Sequence, residues 1–339
     1  MITMYAAVEG ILVQRDSKMG VDQSIVWIDL LNPTKDEDLL VEEILGISIP
    51  TREEAQEIEA SSRLYAEDDA HFMTAVTLHQ TDPPPNGDSK AAKIPMRDYA
   101  LPKQSPVTFI LTRKHVVTVR YEDLRAFHLF LQRSKKKDSA CTGPGAVLVG
   151  LLETIVDREA DRIERITAEV EKLSHTIFDM RGGEASRSRR YDVAIKMIGR
   201  EAELTSREHE SLHSIDRVLT YLSHVLSERE NEKSLRARIK TASRDLVSLT
   251  HHTDALSNKT QFLLDATLGM ISTQQNTIIK LFSVASVALM PPTLIASIYG
   301  MNFKHMPELE WSYGYPMAIG LMVLSAIVPF VYFKRKGWY

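Results

Sequence analysis

The sequence predicts an α/β domain, a long helical stalk and two C-terminal membrane-spanning helices, on the strength of three observations. Residues 281–303 and 312–333 contain no charged side chain, and each is long enough for a helix to cross the roughly 30 Å hydrocarbon core of a bilayer. Residues 24–120 mix short apolar runs of strand length with helical patterns. Between residues 233 and 290 no proline interrupts a long helical pattern.

Overall composition hides the membrane part of the chain. The 25% charged residues, 44% hydrophobic residues and formal net charge of −4 are typical of a globular protein and give no reason to expect a nucleic-acid partner. Cys141 is the only cysteine, which excludes an internal disulfide framework and fits a reducing compartment. Residues 1–13 lack a basic start and a cleavage site, so we expect a strand there rather than a signal peptide.

Apolar runs and amphipathic segments alternate in the first part of the chain, which predicts one sheet covered by helices. The strand candidates are 24–30, 71–78, 106–112 and 115–121, and the helix candidates are 34–45 and 51–61. Pro83 to Gly87 predicts an exposed loop between strands. Beyond Gly145 the charged segments predict three helices, at 146–181, at 188–226 and from about Asn231 towards Ile298. The last would be on the order of 100 Å long.

Positive charge after the second apolar span predicts the orientation in the membrane. Lys334, Arg335 and Lys336 follow that span at once, so the C-terminus is expected in the cytoplasm, and two crossings place the N-terminal domain there too. The predicted organisation is a cytoplasmic α/β domain 1–140, a cytoplasmic helical stalk 141–276, a first transmembrane helix 277–303, a periplasmic loop 304–312, a second transmembrane helix 313–333 and a basic cytoplasmic tail 334–339.

One face of the first span is polar. Seven residues spaced alternately by three and four share this face, and five of them are polar: Asn276, Ile279, Ser283, Ser286, Met290, Thr293 and Ser297. A helix lining a water-filled path would show such a face, and so would helices that pack closely through small hydroxyl residues. Because two helices cannot enclose a polar path, a pore would need several copies of the chain, whereas a simple membrane anchor would not.

The residues between the two spans carry a resemblance to a known family. Tyr299-Gly300-Met301-Asn302-Phe303, followed by Met306-Pro307-Glu308-Leu309 and Gly314-Tyr315-Pro316, resembles the signature of the CorA family of magnesium and cobalt transporters. The similarity extends back through Met290-Pro291-Pro292-Thr293 and forward to Lys334-Arg335-Lys336-Gly337-Trp338. It is dense over the two spans and looser before them.

The resemblance implies a homopentamer in the inner membrane of a bacterium. Such an assembly would be a transporter and not an enzyme, and it would admit Mg²⁺, and also Co²⁺ and Ni²⁺, under the membrane potential. Mg²⁺ would be both the transported and the regulatory ion, with no other cofactor. The outer selectivity filter would be Gly300, Met301 and Asn302, and Asn302 and Asp265, at the cytoplasmic mouth, would meet the metal. The resemblance implies that Asn276, Phe282, Met290 and Thr293 line the pore. The polar face independently includes Asn276, Met290 and Thr293, whereas Phe282 comes from the resemblance alone. Ile279, Ser283 and Ser286 are added as pore-lining positions because they belong to the polar face.

The expected filter suits the chemistry of magnesium. Mg²⁺ demands octahedral coordination and dehydrates reluctantly, so proteins usually leave several waters on the ion. Neutral Asn302 amide oxygens can accept hydrogen bonds from those waters without trapping the ion as carboxylates would. Glu308 and Glu310 in the loop would raise the local cation concentration by Coulomb attraction.

Two alternatives use histidine. His209-Glu210-Ser211-Leu212-His213 matches the pattern of zinc proteases, in which two His bind the metal and the Glu acts as a general base. A transporter of the same fold could instead carry Zn²⁺, coupled to protons, with the His209 pair or His251 and His252 as cytoplasmic zinc sites. Acidic residues of the α/β domain are candidates for a regulatory site or for ordinary solvated surface: Glu53, Glu54, Glu57, Asp68 and Asp69.

Overall fold

The protein, represented by a computed structural model, forms two compact units. The first comprises Met1–Arg181 and Val193–Leu263, and the second comprises Gly182–Asp192 and Leu264–Tyr339. The loop expected at Pro83 to Gly87 lies outside the described residues. Those residues are 1–15, 24–57, 59–79, 101–136, 141–178, 184–229, 232–302, 306–307 and 310–337.

A seven-stranded sheet forms the centre of the first unit. Its strands are β1 (Ile2–Val8), β2 (Ile11–Arg15), β3 (Ile25–Leu31), β4 (Leu64–Glu67), β5 (Ala70–His79), β6 (Lys103–Leu111) and β7 (Val116–Arg120). The spatial order is β2-β1-β3-β7-β6-β5-β4, in which β3 and β7 pair in parallel and the other neighbours pair antiparallel. The four predicted strands are confirmed as β3, β5, β6 and β7.

Two tight hairpins depart from the prediction. The single strand expected at 1–13 is wrong, because Glu9 (φ 51°) and Gly10 (φ 80°) turn the chain back on itself between β1 and β2. Asp68 (φ 49°) and Asp69 (φ 63°) do the same between β4 and β5. Two successive residues with positive φ make the turn whose twist matches that of the flanking strands. Asp68 and Asp69 therefore have a structural role in the turn.

Short helices cover the sheet. Helix α1 (Lys35–Leu45) begins after Thr34, whose hydroxyl accepts from the Glu37 N–H while the Glu37 carboxylate accepts from the Thr34 N–H, and this capping box explains the predicted start. The helix predicted at 51–61 is wrong as one element. It divides into α2 (Arg52–Gln56) and α3 (Ala60–Arg63), because Glu57 is extended and its carbonyl accepts from Arg63 Nε at 2.5 Å.

Trp27 of β3 anchors an aromatic cluster on one side of the sheet. It is fully buried, it stacks on Tyr5 at 4.6 Å between ring centroids, and its indole N–H donates to Thr118 Oγ1 at 2.9 Å. Phe127 and Phe130 complete the cluster at 6.2 and 5.7 Å. Both lie on α4 (Arg125–Ser134), a helix that the sequence reasoning did not predict.

A buried ion pair joins the parallel strands β3 and β7. Arg120 Nη2 lies 2.8 Å from Asp29 Oδ2, and both side chains are about 5% exposed. Thr118 Oγ1 also donates to Asp29 Oδ1 at 2.7 Å, and the Arg120 guanidinium lies over the Phe127 ring. Burial, reinforced by the Asp29 charge, raises the pKa of neighbouring Tyr5 to about 12.

The described residues after α4 form long helices, namely α5 (Pro144–Phe178), α6 (Glu184–Ser227), α7 (Lys233–Tyr299) and α8 (Gly314–Arg335). The first three confirm the helices predicted from residue 146 onward, and α7 is continuous over 67 residues through Pro291 and Pro292. Helix α6 also completes the hydrogen bonding of β5 beyond the end of β4. Ser214 Oγ accepts from the Val76 N–H at 2.7 Å, and Ser211 Oγ donates to the Val76 carbonyl at 2.9 Å.

Candidate functional site

Among the residues that the structure describes, two helices are long and apolar enough to cross a membrane, namely α7 over its C-terminal part and α8. Only 6% of the apolar window of each helix is buried, whereas the core helix of a globular protein would be mostly buried. Phe282 and Met290 of α7 are 68% and 70% exposed. So much uncovered apolar surface requires lipid or further protein around it.

The covered face of α7 lies opposite its polar face. Val284 is only 4% exposed, and Ala288, Pro291 and Ile295 are half-buried at spacings of four, three and four. The residue two positions after each of these lies about 200° around the helix. Those residues are exposed and belong to the polar face predicted from the sequence: Ser286, Met290, Thr293 and Ser297. In a single protomer the polar face thus lies opposite the covered residues, and apolar residues on the flanking faces, such as Leu289 and Leu294, are exposed as well.

The remaining predicted positions extend the same face towards the N-terminal end of the span. Asn276, Ile279 and Ser283 are exposed. Asp265 precedes Asn276 by eleven residues, which is three helical turns, so it lies on this face as well and is also exposed. Phe282, one residue before Ser283, lies beside the face.

Thr293 shows how a hydroxyl is accommodated on this face. Its Oγ1 donates to the carbonyl oxygen of Leu289, one turn earlier, at 2.7 Å. The donor is therefore satisfied within the helix, while the oxygen lone pairs remain able to accept. Pro291 and Pro292 lack N–H groups, so the carbonyls of Val287 and Ala288 lose their usual helical donors.

Helix α7 ends immediately before the predicted filter. Tyr299 is its last residue, and Gly300, Met301 and Asn302 follow as exposed residues outside the helix. The Gly300 N–H still donates to the Ala296 carbonyl at 2.9 Å, and a Cβ at Gly300 would approach that oxygen to 3.0 Å. Gly300 thus allows a close turn at the end of the helix, after which the chain changes direction.

The loop and the basic tail flank α8. Glu310 is exposed, and the predicted loop residue Glu308 lies outside the described residues. Lys334 and Arg335 occupy the last turn of α8, and Lys336 Nζ lies 5.4 Å from the centroid of the Tyr332 ring. Cationic side chains at this end also complement the negative end of the helix dipole.

Two residues of the histidine motif, His209 and Glu210, contact side chains of other parts of the first unit. His209 Nε2 lies 3.2 Å from Asp254 Oδ1, and the His209 and His213 rings are 4.4 Å apart, but the Glu210 carboxylate accepts from Gln104 Nε2 at 2.5 Å. Among the residues that the structure describes, no group of three His, Cys, Asp or Glu is placed to hold a metal ion. Within the described part of the chain, neither the His209 pair nor His251 and His252 belongs to such a group.

Some of the acidic residues considered for regulation have other partners. The Glu54 carboxylate completes the capping box at Thr51, and Asp69 pairs with Arg113 at 3.3 Å beside its turn. Glu53 and Glu57 are exposed.

The sequence reasoning missed a charged cluster between α5 and α6. Glu159 and Glu208 are buried, and both contact the guanidinium of Arg162. Burial and the Glu159 charge raise the pKa of Glu208 well above its usual value. Arg158, Arg162 and Arg165 recur at helical spacing on one face of α5, and that pattern was the available signal.

An α/β domain followed by long helices, the last two of them apolar, defines a membrane protein with two spans and a large domain outside the bilayer. The chain belongs to the CorA family, since the family model described as "CorA-like Mg2+ transporter protein" matches residues 22–335. The resemblance noted in the sequence is thereby confirmed.

Relatives and a solved structure agree with this membership. The chain is 35% identical to the magnesium transport protein CorA of Pasteurella multocida over 339 residues, covering 100% of both chains. It is 36% identical to the magnesium transport protein CorA of Escherichia coli strain K12 over 313 residues, 92% of each chain. The fold resembles the complete CorA magnesium transporter from Methanocaldococcus jannaschii, with a TM-score of 0.76 and 18% identity over 100% of this chain and 99% of that one.

Proposed function

We propose that the chain is a magnesium channel that admits Mg²⁺ into the cytoplasm under the membrane potential. The observation that supports this most is the polar face of α7, which lies opposite the covered face and leads to Gly300, Met301 and Asn302 at the end of the helix. The curated relatives bear the name magnesium transport protein, which favours Mg²⁺ over the Zn²⁺ alternative.

A pore made from such protomers requires several copies, and we propose a homopentamer in the bacterial inner membrane. Each copy would turn the polar face of α7 towards a common axis and leave the apolar faces to neighbours and lipid. Both termini would be cytoplasmic, because the cationic residues Lys334, Arg335 and Lys336 follow the second span.

The proposed filter is a ring of Gly300, Met301 and Asn302, one set from each copy. Asn302 amide oxygens and backbone carbonyls would accept hydrogen bonds from the waters around Mg²⁺, so the ion keeps most of its hydration and is not trapped. Asp265 would present a ring of carboxylates at the cytoplasmic mouth. The path between them would be lined by Asn276, Ile279, Phe282, Ser283, Ser286, Met290 and Thr293.

The membrane potential is a sufficient driving force for inward flow. It contributes about 2.3 kcal/mol per elementary charge per 100 mV, and twice that for a divalent ion. Co²⁺ and Ni²⁺ would follow the same path because they are divalent and similarly hydrated. Cytoplasmic Mg²⁺ would in turn limit the flow by binding between subunits.

The test is uptake into proteoliposomes that contain the full-length protein, under an imposed inside-negative potential. We expect Mg²⁺ to enter, Asn302→Ala to abolish selective entry, and Ser312→Ala, a polar change elsewhere in the same connection, to leave it intact. Size-exclusion chromatography must show the same assembly for all three proteins. Normal Mg²⁺ uptake by Asn302→Ala would refute the filter, and Zn²⁺ entry that depends on a proton gradient would favour the zinc alternative.

A further inference from the structure

An arginine-rich cleft opens in the first unit, where the end of β5, the residues just before α4 and one face of α5 meet. It has a volume of about 270 Å³, and four arginines line it: Arg125, Arg158, Arg162 and Arg165. Leu78, Leu124 and Ile155 supply apolar wall beside them. The cleft belongs to the first unit and does not involve the residues of the proposed ion path.

Three of these arginines form a row along α5. Arg158, Arg162 and Arg165 are spaced by four and by three, so they lie on one helical face over a length of about 10 Å. Like charges at this spacing repel and destabilise a helix. A row of this kind therefore needs negative charge from other side chains or from a bound anion.

The nearby carboxylates already have partners. Asp161 Oδ2 lies 2.7 Å from Arg158 Nη1, and the buried carboxylates Glu159 and Glu208 both contact Arg162. Asp123, on the opposite wall, lies 3.0 Å from Arg120 Nη1 and 2.9 Å from His128 Nε2. Among the charged residues that line the cleft, four are arginines and two are carboxylates, Asp123 and Glu159, so the lining carries more positive than negative charge.

Arg165 occupies the C-terminal end of the row. Its Nε donates to a main-chain oxygen, the carbonyl of Asp161, at 3.3 Å. Partial burial and the repulsion of Arg158 and Arg162 lower the pKa of the Arg165 guanidinium. A ligand that brings negative charge to this position would relieve both effects.

We propose that this cleft binds a di- or triphosphate chain, either free or as part of a nucleotide. Guanidinium groups match phosphate oxygens in charge and in paired hydrogen-bond geometry. The row extends about 10 Å along the helix axis, a length over which several linked phosphates can each meet a guanidinium group. The apolar wall at Leu78, Leu124 and Ile155 would accept the less polar body of a nucleotide.

The test is isothermal titration calorimetry on the full-length protein in detergent, in a metal-free buffer at low salt. The titrants are sodium tripolyphosphate, ATP and inorganic phosphate. The informative variant is Arg165→Gln, and its matched control is Arg244→Gln, which removes an exposed arginine of α7 that does not line the cleft. Arg162 is left unchanged because its loss would strand two buried carboxylates.

We expect tripolyphosphate to bind the wild-type protein and Arg244→Gln alike, and Arg165→Gln to weaken binding about tenfold, as the loss of a charge-assisted hydrogen bond does. ATP binding more tightly than tripolyphosphate would identify a nucleotide as the ligand, and equal affinities would identify the phosphate chain alone. Equal weakening by Arg165→Gln and Arg244→Gln would overturn the proposal. So would absence of binding at millimolar tripolyphosphate, or inorganic phosphate binding as tightly as the chain.

Discussion

Replacing Glu208 with Gln should stabilise the first unit at neutral pH. The side chains of Glu159 and Glu208 are 1% and 0% exposed, and they share the single guanidinium of Arg162, whose Nε lies 3.2 Å from each Glu208 oxygen. Two ionised carboxylates would leave one negative charge uncompensated where water is excluded. Burial first, and then repulsion from Glu159, therefore raise the pKa of Glu208 in the folded protein.

The sign of the pH dependence follows from this raised pKa. The stability associated with protonated Glu208 is fully present below the ordinary carboxyl pKa of 4.5, and it is lost as the pH rises towards the folded-state pKa. Each pH unit above 4.5 over which the folded protein keeps a proton that an ordinary carboxyl has released costs about 1.4 kcal/mol. Glu208→Gln removes that cost, because Gln is neutral at every pH and Glu159 remains as the partner of Arg162.

Thermal unfolding of the full-length protein in detergent, followed by tryptophan fluorescence, measures the effect, since Trp27 is buried in the first unit. A unit of this size gains about 2–4 °C in Tm per kcal/mol. We expect Glu208→Gln to raise the Tm by several degrees at pH 8 and by little at pH 5. The matched control is Glu203→Gln, which changes an exposed carboxylate on the same helix.

Arg162→Met should act in the opposite direction, with a loss of about 3–5 kcal/mol, because it leaves two buried carboxylates without a cation. A Tm for Glu208→Gln below that of the wild-type protein at pH 8 would refute this account of the cluster. A gain of equal size at pH 5 and pH 8 would refute the proposed titration.

Three further predictions concern packing and the membrane helices. Gly150→Ala places a Cβ 2.6 Å from the ring of Phe130, a buried residue of the aromatic cluster, so we expect a loss of about 1–3 kcal/mol, seen as a lower Tm; an unchanged Tm would contradict it. Ser286→Leu, on the polar face, should slow Mg²⁺ uptake by proteoliposomes, whereas the matched Ala285→Leu should not, and equal effects would argue against a polar path. Gly300→Ala brings a Cβ to 3.0 Å from a backbone oxygen, so the turn before the filter must shift; reduced Mg²⁺ uptake with normal assembly is expected, and wild-type uptake would contradict it.

The elements that were predicted correctly are those whose structure is decided by one continuous segment of sequence. A charge-free run of about 20 residues has few alternatives to a membrane helix, and α8 (Gly314–Arg335) lies within two residues of the predicted 313–333 at either end. Strands β3 and β5–β7 were predictable because apolar, β-branched runs are bounded by turn residues. The start of α1 followed from Thr34, a residue that favours helix N-termini.

The errors arose where two segments decide the structure together. The turns at Glu9-Gly10 and Asp68-Asp69 carry a weaker signal than Asn-Gly, and they become hairpins only because a partner strand is available. Helix α4 was missed because its apolar residues are fixed by Trp27, a residue distant in sequence. The arginine-rich cleft likewise needs β5, the residues before α4 and α5 together.

The polar face of α7 is the structural feature that most directly supports the proposed ion path. In lipid a helix gains nothing from hydroxyl or amide groups unless they meet water, other polar groups or their own backbone. Thr293 satisfies its donor through the Leu289 carbonyl, but its acceptor capacity remains, and the Asn276 amide has both donors and acceptors to satisfy. Because the covered face begins at Val284 on the opposite side of the helix, packing within the protomer does not account for these polar groups. A water-filled path shared among several copies would satisfy them, and it is also the environment that a hydrated divalent cation requires.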